Sequence, residues 1–172
     1  GAKLGILVLL RVNGDISEQG SIIDFSTKDG VKKFNALPVG FVYRFNNDGD
    51  DRVKPVGTLT ITNMLGMKTK VLDGNPSQGN VLPHSTRKFE LSWVKQNTSN
   101  ETTVLPIGFW DTVNYQWNNF ALGRYKATLA LQYSSKNLTD SAVATFVVFP
   151  WQLLVVIILG AIIAYFILKR LI

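Results

Sequence analysis

Apolar and polar side chains alternate with a period of two along most of the first 149 residues, the pattern of strands that bury one face and expose the other. In Phe41-Val42-Tyr43-Arg44-Phe45 the aromatic rings share one side, and in Thr58-Leu59-Thr60-Ile61-Thr62 the threonines and the aliphatics take opposite sides. Phe89-Glu90-Leu91-Ser92-Trp93 repeats the pattern, and the odd positions from Tyr125 to Tyr133 form a continuous apolar face. Turn-forming clusters separate these runs: Asn13-Gly14-Asp15, Asn47-Asp48-Gly49-Asp50, Asp73-Gly74-Asn75-Pro76, Leu82-Pro83-His84-Ser85 and Leu122-Gly123. One buried face per strand demands two packed sheets. The expected fold class is therefore all-β, an immunoglobulin-like β-sandwich of roughly eight strands over residues 13–149, with helical pattern confined to a turn near Lys28 to Phe34.

The pattern changes at both ends. Gly5-Ile6-Leu7-Val8-Leu9-Leu10 is apolar on both faces and too short to cross a bilayer, so residues 1–12 read as an opening strand in the middle of a sheet. The chain starts without Met or a basic leader, which predicts a processed start or an interior point of a longer protein, with another domain before Gly1. From Ser141 to Leu168 there is no Asp, Glu, Lys or Arg. A helix over residues 150–172 would rise about 34 Å, enough for a hydrocarbon core of about 30 Å. This predicts a single transmembrane α-helix with Trp151 at the headgroups and Lys169 and Arg170 at a short cytoplasmic end, which puts the sandwich outside. Residues 142–149 run as a strand into Pro150 with no Gly- or Ser-rich linker, so the domain should sit directly on the membrane. Gly160 and Ala164, four apart, either let another helix approach closely or simply face lipid.

Composition narrows the chemistry. The net charge of +6 falls to +4 without Lys169 and Arg170, with no basic cluster interleaved with aromatics, so nucleic acid is not an expected partner. The lipid bilayer is expected, together with other surface or membrane proteins or a cell-wall polymer. With no Cys, thiol catalysis is excluded and the core must do without a disulfide, which points toward bacteria. Three sequons, at Asn97, Asn100 and Asn137, point the other way. His84 is the one histidine and stands among turn residues, so neither a catalytic role nor a cofactor is expected. Asn46, Asp48, Asp50 and Asp51 concentrate oxygen ligands on a short loop, which suits either calcium or a hairpin turn. Phe109, Trp110, Tyr115, Trp117 and Phe120 crowd what reads as a loop between two strands, a candidate contact surface for a sugar or protein, or else a satellite core.

Several of these pieces, in this order, resemble the bacterial WxL-interacting cell-surface proteins, particularly their membrane-proximal second domain, and are similar to uncharacterised surface proteins of candidate-phylum bacteria. Gly1 to Leu9 looks like the end of a preceding sandwich domain. Val81-Leu82-Pro83-His84-Ser85 is similar to the family's Pro-Asn-Ser turn, with His84 in place of Asn. Leu122-Gly123-Arg124-Tyr125 is similar to its Ala-Gly-x-Tyr, with Leu122 in place of Ala. The resemblance implies a surface binding module, the family's first domain being implicated in peptidoglycan binding and its second in contacts with host or surface proteins. The expected function is a non-enzymatic, single-pass, extracytoplasmic binding or adhesion module of a bacterial envelope. The alternative is a structural or accessory subunit of a larger membrane complex.

Overall fold

Alternation becomes two sheets in the computed structural model, which describes Gly5, residues 17–95 and residues 106–171. The strand expected over residues 1–12 lies outside the described residues apart from Gly5, as do the sequons at Asn97 and Asn100. Eight strands are formed among the described residues: β1 (Gly20–Thr27), β2 (Lys33–Phe34), β3 (Val39–Asn47), β4 (Val56–Asn63), β5 (Lys68–Asp73), β6 (Ser85–Trp93), β7 (Gly123–Tyr133) and β8 (Leu138–Val148). One sheet has the order β1-β3-β6 and the other β2-β8-β7-β4-β5. Every neighbouring pair is antiparallel except β2 with β8. The two-sheet, immunoglobulin-like sandwich expected from the sequence is thus present, and the turn near Lys28 is a single 3-10 turn between β1 and β2.

The core lies where the two inner faces meet. Phe41, Tyr43 and Phe45 of β3 oppose Leu59 and Ile61 of β4, Ala127, Leu129 and Leu131 of β7, and Phe146 and Val148 of β8, all almost fully buried. Phe146 is the hub of a ring cluster, 5.4 Å from Phe41, 5.6 Å from Tyr125, 6.0 Å from Phe34 and 6.1 Å from Trp93 between centroids. Such edge and offset contacts add to the apolar area each ring removes from water. In a chain without cysteine this cluster links the two sheets without a disulfide, joining Phe41 and Trp93 of one to Tyr125 and Phe146 of the other. Among the described residues no buried side-chain nitrogen or oxygen lacks a hydrogen-bond partner. Buried Asn75, for example, donates to Pro55 O and Gly79 O, both at 2.9 Å, and accepts from Gly79 N at 2.8 Å.

The described residues also form two α-helices, α1 (Phe109–Asn118) and α2 (Trp151–Leu171). The aromatic run expected as a loop is therefore a helix. Its rings follow no period of two and no single apolar stripe, so neither template stands out in the sequence, while Asp111 in the first turn favours the helical dipole. The acidic Asn46–Asp51 segment is also not a hairpin: it carries the chain from β3 in one sheet to β4 in the other, held by a Val53–Val81 bridge.

Register defines two ends of the sandwich. At the proximal end lie the end of β8, the start of β7, the β4–β5 turn, the start of β3 and the end of β6. At the distal end lie Asn47, Asp73, Ser85 and the β7–β8 turn. α2 leaves the proximal end.

Candidate functional site

The junction at the proximal end begins with an unmet need. The first turn of any helix has N–H groups without intrahelical partners, usually served by Ser, Thr, Asp or Asn at the cap. Phe149-Pro150-Trp151 supplies none of these. The first helical bond of α2 runs from Leu154 N to Pro150 O at 3.1 Å, which leaves the N–H of Leu153 without a local partner. Gln116 of α1, fully buried, provides one: its Oε1 accepts from Leu153 N at 2.9 Å, and its Nε2 donates to Gln152 Oε1. A side chain from another helix thus caps the apolar helix.

α1 is itself fixed to the sandwich. Tyr115 donates its hydroxyl to Leu37 O at 3.0 Å, and burial pushes its phenol above the usual range. Leu37 N donates in turn to Asn119 O at 3.1 Å. The strand feeding α2 is pinned by β2 and the segment before it, with Val147 N donating to Lys32 O at 2.9 Å and Phe149 N to Phe34 O at 2.8 Å. Pro150 and Leu153 are buried. Only Phe149 and Pro150 stand between Val148 and Trp151, so nothing like a flexible linker separates β8 from α2.

The five aromatics do not act as one surface. Tyr115 is a structural peg, whereas Trp110 and Trp117, seven residues apart on one face of α1, are 70% and 64% exposed. Phe109 packs edge-on against Trp110 at 5.4 Å, and Phe120 lies just past the helix, both partly exposed. Along α2 every residue described from Ile157 onward is exposed, including Gly160, Ala164, Lys169 and Arg170. Its 21 residues are long and apolar enough to cross a membrane. A methyl group added at Gly160 would meet nothing within 4 Å.

At the distal end the oxygen-rich segment is knitted by its own hydrogen bonds. Asn46 Nδ2 donates to Asp48 Oδ1 at 2.6 Å, Arg52 N donates to Asp51 Oδ1 at 2.8 Å, and buried Asn47 donates to Asp51 O and Val81 O. His84 Nε2 lies 3.3 Å from Asp50 Oδ1, with both side chains largely exposed. His84 has φ +51°, and His, like Asn, is enriched in that left-handed region, so its place in the turn follows from backbone shape. Among the described residues no three His, Cys, Asp or Glu side chains gather closely enough to hold a metal ion. Nearby, Ser134 and Ser135 hydroxyls and the Ser135 N–H bind the Glu18 carboxylate at 2.6–3.1 Å and hold its pKa down at about 2, from 4.5.

Sequence reasoning missed Gln116. The available signal was the helix after Pro150 with no cap residue of its own, which requires a donor-satisfying group from elsewhere. The Leu122-Gly123-x-Tyr125 motif gains a physical reading: Gly123 has φ +113°, and Tyr125 donates its hydroxyl back to Leu122 O at 3.2 Å, a tyrosine corner at the start of β7.

No protein-family model matches the sequence, and the comparison with curated proteins gives no match. Among solved structures the chain is similar to a CARDB domain from Pyrococcus furiosus in complex with di-metal ions, at 11% identity and TM-score 0.39, covering 76% of this chain and 94% of that one. It is also similar to the CooA pilin subunit of enterotoxigenic Escherichia coli, at 14% identity and TM-score 0.31, covering 76% of this chain and 99% of that one. At these levels neither likeness transfers a ligand, a partner or a site to this chain.

Proposed function

We propose that this protein is a single-pass membrane-anchored binding module of a bacterial envelope, its sandwich held rigidly on the extracytoplasmic side and acting through protein or cell-wall contacts, without catalysis. The observation that carries this reading is the joint: β8 passes straight into an apolar helix whose first turn is capped by Gln116 from the domain itself. Such a joint serves a domain that must be presented at a set height and angle, rather than one released on a tether. Lys169 and Arg170 after the apolar stretch favour a cytoplasmic C-terminus. Trp110 and Trp117 supply exposed, rigid aromatic area of the kind that anchors contacts. The resemblance to WxL-interacting proteins agrees with this role.

The test is binding by the full chain in nanodiscs to isolated peptidoglycan and to surface-protein extracts. Retention that is lost in Trp110→Ala/Trp117→Ala supports the reading, and absence of retention from both materials refutes it. The open face at Gly160 and Ala164 favours a second reading, a subunit of a larger membrane complex. Co-purifying membrane subunits that are lost on Gly160→Leu/Ala164→Leu would establish it.

A further inference from the structure

The β4–β5 turn is the least expected piece of the surface. Met64, Leu65 and Met67 are 71%, 74% and 56% exposed, side by side at a hairpin tip. A soluble hairpin tip is ordinarily polar, and three adjacent large apolar side chains in water are unfavourable. The tip stands at the proximal end: Asn63 pairs with Tyr125, Tyr125 with Phe146, and a Cβ built on Gly123 would lie 3.1 Å from Met64 Cε. Gly123 in turn pairs with Val148, two residues before Pro150. The tip therefore reaches about the level at which β8 gives way to α2, two strands away across the sheet.

Three backbone N–H groups of the tip already have partners. Asn63 Oδ1 accepts from Leu65 N and from Met67 N, both at 3.0 Å, and Asn63 O accepts from Gly66 N at 3.0 Å. Unpaired N–H groups are the main obstacle to placing a turn in an apolar medium, and here those three donors are held by one asparagine.

Behind the tip the outer face of the five-stranded sheet is basic. Lys68, Thr62, Lys126 and Thr145 form one register row across β5, β4, β7 and β8, and Arg124 with Val147 lies nearer the end. Lys68, Arg124 and Lys126 are exposed. On that face the nearest carboxylate along β5 is Asp73, paired with Thr58 at the distal end. Apolar tip first, cations one row behind: this is the order of acyl boundary and phosphate met by anything entering a leaflet from water.

We infer that Met64, Leu65 and Met67 insert into the headgroup–acyl boundary of the leaflet facing the sandwich, with Lys68, Arg124 and Lys126 on the phosphates of anionic lipids. The occupant is lipid because the apolar α2 leaves the same end of the domain. This rests on the reading of α2 as a membrane anchor. The tip is then a second, shallow attachment that stops the domain from tilting or rotating about α2.

The absence of native cysteine permits single labels in the full chain. Leu65→Cys, Lys136→Cys at the distal end and Ile163→Cys within α2 would each carry an environment-sensitive fluorophore, in vesicles of phosphatidylcholine and phosphatidylglycerol. The expected result is quenching of the Leu65 label by shallow spin-labelled lipid with protection from aqueous iodide, the opposite at Lys136, and deep quenching at Ile163. Pure phosphatidylcholine vesicles, or Lys68→Gln/Arg124→Gln/Lys126→Gln, should reduce lipid quenching at Leu65 without changing Ile163. A Leu65 label open to iodide while Ile163 stays deep overturns the inference and leaves the anchor intact. A Leu65 label protected from iodide yet untouched by spin-labelled lipid overturns it in favour of a protein cover. An aqueous Ile163 label overturns the anchor and the inference together.

Discussion

Gln116 does for α2 what a local Ser or Asp usually does, from thirty-seven positions away in sequence from the N–H it serves. Gln116→Ala would leave the Leu153 N–H and the Gln152 amide unpaired in a buried joint. The expected loss is about 1–2 kcal/mol in chemical denaturation of the detergent-solubilised chain. Because the pairing joins two elements, the same substitution should broaden the spin-label distance distribution between Thr69→Cys and Ile163→Cys. An unchanged distribution would reduce Gln116 to a packing residue. Glu18 makes a separate prediction, at the distal end. Its carboxyl pKa is lowered from 4.5 to about 2 by the Ser134 and Ser135 hydrogen bonds, so the folded state favours the charged form. Its contribution is fully present above about pH 4.5 and disappears as pH falls toward 2. Melting curves of the parent and Glu18→Gln should differ by a constant amount above pH 4.5 and converge below it. A gap independent of pH down to 2 would contradict the assignment.

The strands were legible because alternation is a local period that each short segment states independently, as Phe41 to Phe45 and Tyr125 to Tyr133 do. α1 was hidden because the rings of Phe109, Trp110, Tyr115 and Trp117 point to several sides of the helix, each used differently: Tyr115 toward Leu37, Trp110 and Trp117 toward solvent. The Asn46–Asp51 segment read as a hairpin because its composition is that of a tight turn, and composition does not state which sheet receives the next strand. The cap from Gln116 and the row Lys68, Thr62, Lys126 exist only once register is fixed, and register is a long-range property. At one pairing, register also makes a glycine indispensable. A Cβ on Gly57 would lie 2.0 Å from Ala130 O and 2.8 Å from Leu131 Cα, both backbone, so β4 and β7 would have to separate. Gly57→Ala should cost about 3 kcal/mol, whereas Gly160→Ala, with open space around it, should leave stability unchanged. Equal effects in urea titration would refute this contrast.

Charge is unevenly placed between the two ends of the sandwich. Six carboxylates, Glu18, Asp48, Asp50, Asp51, Asp73 and Asp140, lie toward the distal end beside Arg52 and Lys136, while Lys68, Arg124 and Lys126 lie toward α2, where α1 carries Asp111. Next to an anionic surface that distribution opposes inversion of the domain. The joint between β8 and α2 holds the same orientation mechanically. Inserting Gly-Ser-Gly-Ser between Phe149 and Pro150 should widen the Thr69-to-Ile163 distance distribution more than Gln116→Ala does, while lowering stability by about as much as that substitution, about 1–2 kcal/mol, because it loosens the same cap. A narrow distribution after insertion would show that lipid contacts alone orient the domain. The uninterrupted run from β8 into α2 has one more consequence, under load. β8 lies inside its sheet, between β2 and β7, and matches β7 over eleven residue pairs. A partner that grips the distal end and pulls away from the membrane drags β8 along its own length. The ladder bonds to β7 lie across that direction and resist together as a shear lock, instead of parting one after another like a zip. On the proposed reading of α2 as an anchor, tension applied at the distal end would pass along β8 into that helix.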